Sequence, residues 1–102
     1  MFVMHVTTHP AELCPSHEPR FRPVTVNWYE KVGVTAAKHD VKFIGSYTDT
    51  MAHTIYALYE TPSMDAMSQL AMEPEMAALG MFCTGRMFPV FDHETVLKMI
   101  KK

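Results

Sequence analysis

The amino-acid sequence predicts an α+β fold: a four-stranded antiparallel sheet with helices on one face and a further short helix at the end of the chain. Three observations lead there. Short runs with strand-like alternation occur at residues 2–9, 41–48, 54–60 and 81–91. Helical spacing of apolar residues occupies the stretches after the first and third of these runs. Proline, glycine and aspartate cluster between the runs, where turns are needed.

Residues 2–9 alternate and contain valine and threonine, as a strand does. Phe2, Met4 and Val6 fall on one face; Val3, His5, Thr7 and His9 fall on the other. Pro10, Pro15, Pro19 and Pro23 then exclude a regular helix, so the segment reads as a long ordered loop. The prolines lower the entropy lost on ordering it, and Leu13 and Phe21 anchor it. From Pro23 to about His39, Val26, Tyr29, Val32 or Gly33, and Ala36 follow helical spacing. Residues 41–48 and 54–60 are two strands joined by a turn from Asp49 to about His53, short enough for an antiparallel hairpin. Pro62-Ser63 opens a helix to about Met72, with Asp65 complementing its dipole. Pro74 kinks or restarts the helix before Gly80 ends it. Residues 81–91 make the fourth strand, and Pro89 implies an edge position or the strand's end. Asp92 caps a last helix from His93 to Ile100, with lysines at its end.

The order β-α-β-β-α-β plus a final helix is the ferredoxin-like arrangement. It occupies residues 1–102 as a single domain. Helices cover one sheet face, which leaves Val3, Tyr47, Tyr56 and Leu58 as an apolar patch on the other. A homodimer packed sheet to sheet would cover that patch and enclose a cavity with room for a small-molecule ligand.

Composition narrows the function. Nine basic residues against eleven acidic ones leave no basic stripe for phosphate, so nucleic acid is not an expected partner. No apolar run approaches the roughly 20 residues that span a bilayer. The start of the chain reads as a strand and not as a signal peptide, so the expected location is the cytoplasm. Two cysteines, Cys14 and Cys83, are expected to be thiols in that reducing compartment. Ten methionines are spread over every element and read as core gap-fillers, not as a thioether copper site.

Over nearly the whole chain, the element order resembles the dimeric α/β-barrel superfamily. The passage Ile55-Tyr-Ala-Leu-Tyr-Glu60 before a Pro-Ser helix start carries this resemblance. So does Gly85-Arg-Met-Phe-Pro-Val-Phe-Asp92 before a last helix. Both look like the corresponding strands of short uncharacterised barrel proteins and of a small nickel-binding member. The layout is also similar to cofactor-free monooxygenases and muconolactone isomerases. The resemblance implies a fold and a dimer more than an activity. The Asn/Trp/His arrangement of haem-degrading members is absent, since Asn27 and Trp28 fall in the first helix. No catalytic residue is carried over.

The residues point to chemistry in one place. Between His5 and His17 lie three of the six histidines and one of the two cysteines. Imidazole and thiolate suit zinc, nickel or copper, and disfavour magnesium or calcium. His5 and His9 share a face but are roughly 13 Å apart at about 3.3 Å per strand residue, too far to grip one ion. Cys14-Pro-Ser-His17 has a spacing at which a turn brings sulfur and imidazole to one centre. The expected metal site is therefore His9, Cys14 and His17, with His5 or Glu12 in support. The alternative is a cavity enzyme, an isomerase or cofactor-free monooxygenase, with His5, Tyr47, Tyr56 and Glu60 lining one pocket. That set supplies a base, an acid and phenol donors. His39, His53 and His93 read as ordinary surface or helix-end residues.

Overall fold

The computed structural model describes residues 1–102. Its strands are β1 (Phe2–Thr8), β2 (Lys42–Asp49), β3 (Thr54–Glu60) and β4 (Thr84–Val90), and its helices are α1 (Arg22–Ala37), α2 (Met64–Ala71), α3 (Pro74–Ala77) and α4 (His93–Lys101). The sheet order is β2-β3-β1-β4, with every neighbouring pair antiparallel. This is the ferredoxin-like fold. Pro89 sits in edge strand β4, where its missing N–H leaves no ladder bond unmade. No helix is long and apolar enough to cross a membrane.

Local chemistry sets the helix starts. The Ser63 hydroxyl accepts from the Ala66 N–H at 3.1 Å and opens α2. The Asp92 carboxylate accepts from the Thr95 N–H at 2.8 Å and opens α4. Each satisfies one N–H that the helix itself leaves unpaired. Pro23 lies in the first turn of α1, where an N–H is dispensable. The fourth strand begins three residues later than its sequence pattern suggests. Residues Ala78–Met81 instead form a 3-10 turn that buries Leu79.

The core lies between the sheet and the helices. Val3, Ile55, Ala57 and Tyr59 face it from the sheet, and Trp28, Val32, Ala36, Met67, Leu70 and Met76 from the helices. The α1 stripe is Trp28, Val32, Thr35 and Ala36, whereas Val26 and Tyr29 are exposed. The bulk of Trp28 sets this rotation: its indole fills the layer, and its N–H donates to Met76 Sδ at 3.1 Å. Val3 belongs to this core and not to the open face, because its strand parity matches Tyr59 across the ladder.

A bulge in β2 decides the open face. Phe43 pairs with Tyr59, but Gly45 already pairs with Leu58, so Ile44 is the extra residue. Phe43 therefore points into the core beside Tyr59, while Tyr47 pairs with Tyr56 on the opposite face. Tyr47 is 77% exposed and Tyr56 41%. Helix α4 buries none of its residues, and Val96, Leu97 and Ile100 along it are exposed. The radius of gyration, 14.7 Å, exceeds the roughly 13 Å expected of a chain this long.

The Tyr59 hydroxyl is buried without a hydrogen-bond partner, and burial pushes its acidity far below that of an ordinary phenol. An orphaned buried hydroxyl costs about 1–3 kcal/mol of desolvation. Tyr59→Phe keeps the ring and deletes the orphan. Chemical denaturation is expected to show stability unchanged or raised by about 1 kcal/mol; a loss of that size would mean that the hydroxyl has a bonding partner.

Candidate functional site

The site forms where β1 leaves the sheet. The last pair of the β1–β3 ladder is Thr8 with Thr54. One step further, the His9 N–H donates to the His53 carbonyl at 3.1 Å. The ladder thus delivers His53 to His9 although they are far apart in sequence. The turn before His53 is shaped by Asp49, whose carboxylate accepts from the Met51 and Ala52 N–H groups, each at 3.0 Å. His53 itself has φ of 52°, a left-handed conformation that is uncommon for a residue with a side chain.

The proline loop brings the third member. Pro10 starts a 3-10 turn over Ala11–Leu13, which sends the chain back across the end of β1. Leu13 packs on the core, and Phe21 stacks on Phe82 with centroids 4.4 Å apart. Arg22 donates from its guanidinium to the carbonyls of Pro15 at 3.2 Å and Ser16 at 3.1 Å. These contacts tie the loop back over the end of β1. Cys14 comes to rest over His9, and one ligand atom each from His9, Cys14 and His53 lies within 4.8 Å of the others.

His9 is buried and His53 half-buried. Their rings meet edge to face with centroids 5.2 Å apart. Burial, helped by the nearby His53, holds the His9 imidazole below its usual pKa, which favours the neutral form that metals bind. His9 Nε2 is buried with no hydrogen-bond partner. The Cys14 thiol shares a hydrogen bond with the Ser16 hydroxyl at 3.0 Å.

The other sequence-expected ligands lie elsewhere. The His17 ring Nε2 is bonded to the Ala11 carbonyl at 2.9 Å, so the C-x-x-H spacing does not converge on one centre. The cause is local: Cys14 begins a turn in which its carbonyl accepts from the His17 and Glu18 N–H groups, and this turns the His17 ring back to the 3-10 segment. Glu12 is exposed on that segment. His5 lies on the core side of β1, opposite Ala57 and Met87.

His5 also separates from the other members of the cavity-enzyme set. Tyr56 pairs with Val6 and Tyr47, and Glu60 with Phe2. Tyr47, Tyr56 and Glu60 therefore belong to the open face, and the sheet stands between them and His5. His5 instead lines a cavity of about 310 Å³ with Thr7, Met76, Leu79, Cys83 and Met87. Gly85 makes room for it, since a Cβ there would stand 3.2 Å from His5 Nε2. Burial pushes the Cys83 thiol up to about 11. A second cleft of about 540 Å³ adjoins His9 and is walled by Thr8, Pro10, Leu13, Phe82 and Cys83.

Burial alone lowers the His5 pKa from its usual 6.5, and Cys83 is the one other titratable side chain lining a wall of its cavity besides Arg86. The unfolded chain therefore takes up a proton at His5 before the folded one does. Its contribution to stability is complete above pH 6.5 and is lost as pH falls below that value. His5→Gln is expected to flatten the acid limb of a stability–pH curve below pH 6.5. A variant as steep as the native protein would remove His5 as a cause.

An α+β chain with a bare sheet face and a His/Cys/His group at one sheet end belongs to a fold class that solved structures define further. No family model matches the sequence, and no curated protein matches it. A NIPSNAP domain protein from Burkholderia xenovorans is similar in structure, with a TM-score of 0.52 at 11% identity, covering 91% of this chain and 97% of that one. Rv0793 from Mycobacterium tuberculosis aligns with a TM-score of 0.55 at 10% identity, covering 90% and 96% of the two chains. A structure described as an antibiotic biosynthesis monooxygenase aligns with a TM-score of 0.50 at 10% identity, covering 90% and 100%. These likenesses establish the shared ferredoxin-like α/β fold.

Proposed function

We propose that this chain is a small transition-metal-binding protein whose ligands are His9, Cys14 and His53. The observation that carries the reading is the convergence of one thiol and two imidazoles, all within 4.8 Å of one another, from the exit of β1, the loop after it and the distant turn before β3. A tetrahedral zinc site with bonds of about 2.0–2.3 Å needs ligand atoms roughly 3.3–3.8 Å apart by that geometry, so a shift of about 1 Å closes the group on an ion. Two further features support the reading. His9 Nε2 is buried and unpaired, and a left-handed residue supplies one of the ligands, as functional sites commonly tolerate. The donor set suits zinc, nickel or copper. Metal analysis of protein purified without a histidine tag tests it: about one ion per chain is expected, and none after titration of the apo protein with all three metals would end the proposal.

A second reading, a cavity enzyme of isomerase or cofactor-free monooxygenase type, draws on the unpaired His5 in its cavity. Its base would be His5 alone. The fold it shares with a structure described as a monooxygenase is compatible with this. A small molecule retained in the His5 cavity through purification, together with absence of metal, would favour it.

We also propose a cytoplasmic homodimer in which a second copy covers the Tyr47–Tyr56 face and the apolar side of α4. Large exposed apolar patches are uncommon on monomers. Tyr47→Glu together with Leu97→Glu is expected to yield monomers by light scattering at micromolar concentration. A native chain that is already monomeric there would overturn the dimer.

A further inference from the structure

We infer that a metal held by His9, Cys14 and His53 keeps one coordination position open, and that it takes a small monocarboxylate whose apolar tail lies in the cleft beside His9. The inference rests on the metal reading above and adds the ligand that completes the site.

The argument begins with the donors. The convergent group contains three side chains, one short of tetrahedral closure. Structural zinc sites are closed by four protein ligands, and sites that engage an exogenous ligand have three. Three neighbouring side chains that could supply a fourth donor are engaged elsewhere, and Cys83 stands on the cleft wall outside the convergent group. His17 Nε2 is bonded to the Ala11 carbonyl at 2.9 Å. Glu18 Oε1 accepts from Arg20 Nε at 3.0 Å and from the Arg20 N–H at 3.2 Å. Ser16 is bonded to the Cys14 sulfur. Glu12 is exposed.

His9 belongs both to the donor group and to the wall of the cleft of about 540 Å³. The remaining walls are mostly apolar, from Pro10, Leu13 and Phe82, with Thr8 and Thr84 at one side. An anionic donor satisfies the metal's residual positive charge, and the apolar walls reward an alkyl tail. Burial of each methylene is worth about a factor of four in affinity. Met81 lines the cleft and is 70% exposed, so a small polar residue there removes apolar wall without disturbing the core.

Cobalt(II)-substituted protein gives the test, because thiolate ligation and coordination number both read out in its visible spectrum. Sodium acetate, butyrate and azide are the probes. A thiolate-to-cobalt charge-transfer band that Cys14→Ser abolishes is expected first. Saturable change of the d–d bands with all three anions should follow, with butyrate binding about 15-fold more tightly than acetate for its two added methylenes. Met81→Ser should weaken butyrate several-fold while leaving the anion-free cobalt spectrum intact. Cys83→Ala should leave that spectrum unchanged; a changed spectrum would make Cys83 the fourth ligand and overturn the open position. Unaltered bands with every anion would likewise mean a closed site, with the metal reading intact. Equal affinity for acetate and butyrate would overturn the cleft as the seat of the ligand. Absence of the charge-transfer band would instead end the metal reading itself.

Discussion

Cys14→Ser and His53→Ala are each expected to abolish stoichiometric metal binding, while His17→Ala binds as the native chain does. Replacing an outer-shell partner typically costs about 10–100-fold in affinity, and Ser16→Ala should fall in that range because its hydroxyl touches the Cys14 sulfur. Loss of one of three inner ligands should exceed it. His17 separates this site from the one suggested by local spacing: its ring is occupied by the Ala11 carbonyl. The measurement is a competition titration of apo protein with zinc, nickel and copper. Tight binding lost in His17→Ala and retained in His53→Ala would move the site into the loop and overturn the assignment. A further arm uses backbone strain. His53→Gly relieves the left-handed φ of 52°, so this variant should lose metal while its apo form unfolds no more easily than the native apo protein.

Trp28→Ala is expected to have the largest effect on stability. The indole is 1% exposed and stands edge-on to Phe43 with centroids 6.2 Å apart. Its N–H donates to Met76 Sδ, so one side chain ties α1 to both β2 and α3. Truncating a buried aromatic to alanine costs about 3–5 kcal/mol, against a total of roughly 5–15 kcal/mol for a typical domain. Urea unfolding should show a correspondingly lower midpoint. Because Met76 also walls the His5 cavity, the same variant should disturb that cavity more than the cleft beside His9, which Met76 does not line. A loss below about 1 kcal/mol would mean that the layer repacks around the vacancy.

Strand and helix boundaries were legible wherever the deciding chemistry is local. Alternation marked β1 and β3, Pro74 marked the break after α2, and Asp92 marked the cap of α4. Strand parity placed Val3, Thr7 and His9 on one side, and all three are buried there. The α1 stripe was displaced because four apolar candidates were weighed by spacing alone, while the size of Trp28 determined which side faces in. The candidate site was legible in two of its three members. His9 and Cys14 share a short segment; His53 looked like an ordinary turn residue. One signal was available: with β3 beside β1 and antiparallel to it, the exit of β1 must meet the entrance of β3, where His53 stands.

By itself, then, the sequence determined the periodicities, the caps, the proline-ordered loop and the metal-type side chains near its start, because each depends on residues within a few positions. Only the tertiary structure decided that His53, and not His17, lies beside His9 and Cys14, that the sheet divides His5 from Tyr47, Tyr56 and Glu60, and that a bulge at Ile44 turns Phe43 inward and Tyr47 outward. Those outcomes depend on cross-strand register, and register is a property of two segments paired in space. A single-residue shift in that pairing exchanges every core-facing side chain for its neighbour.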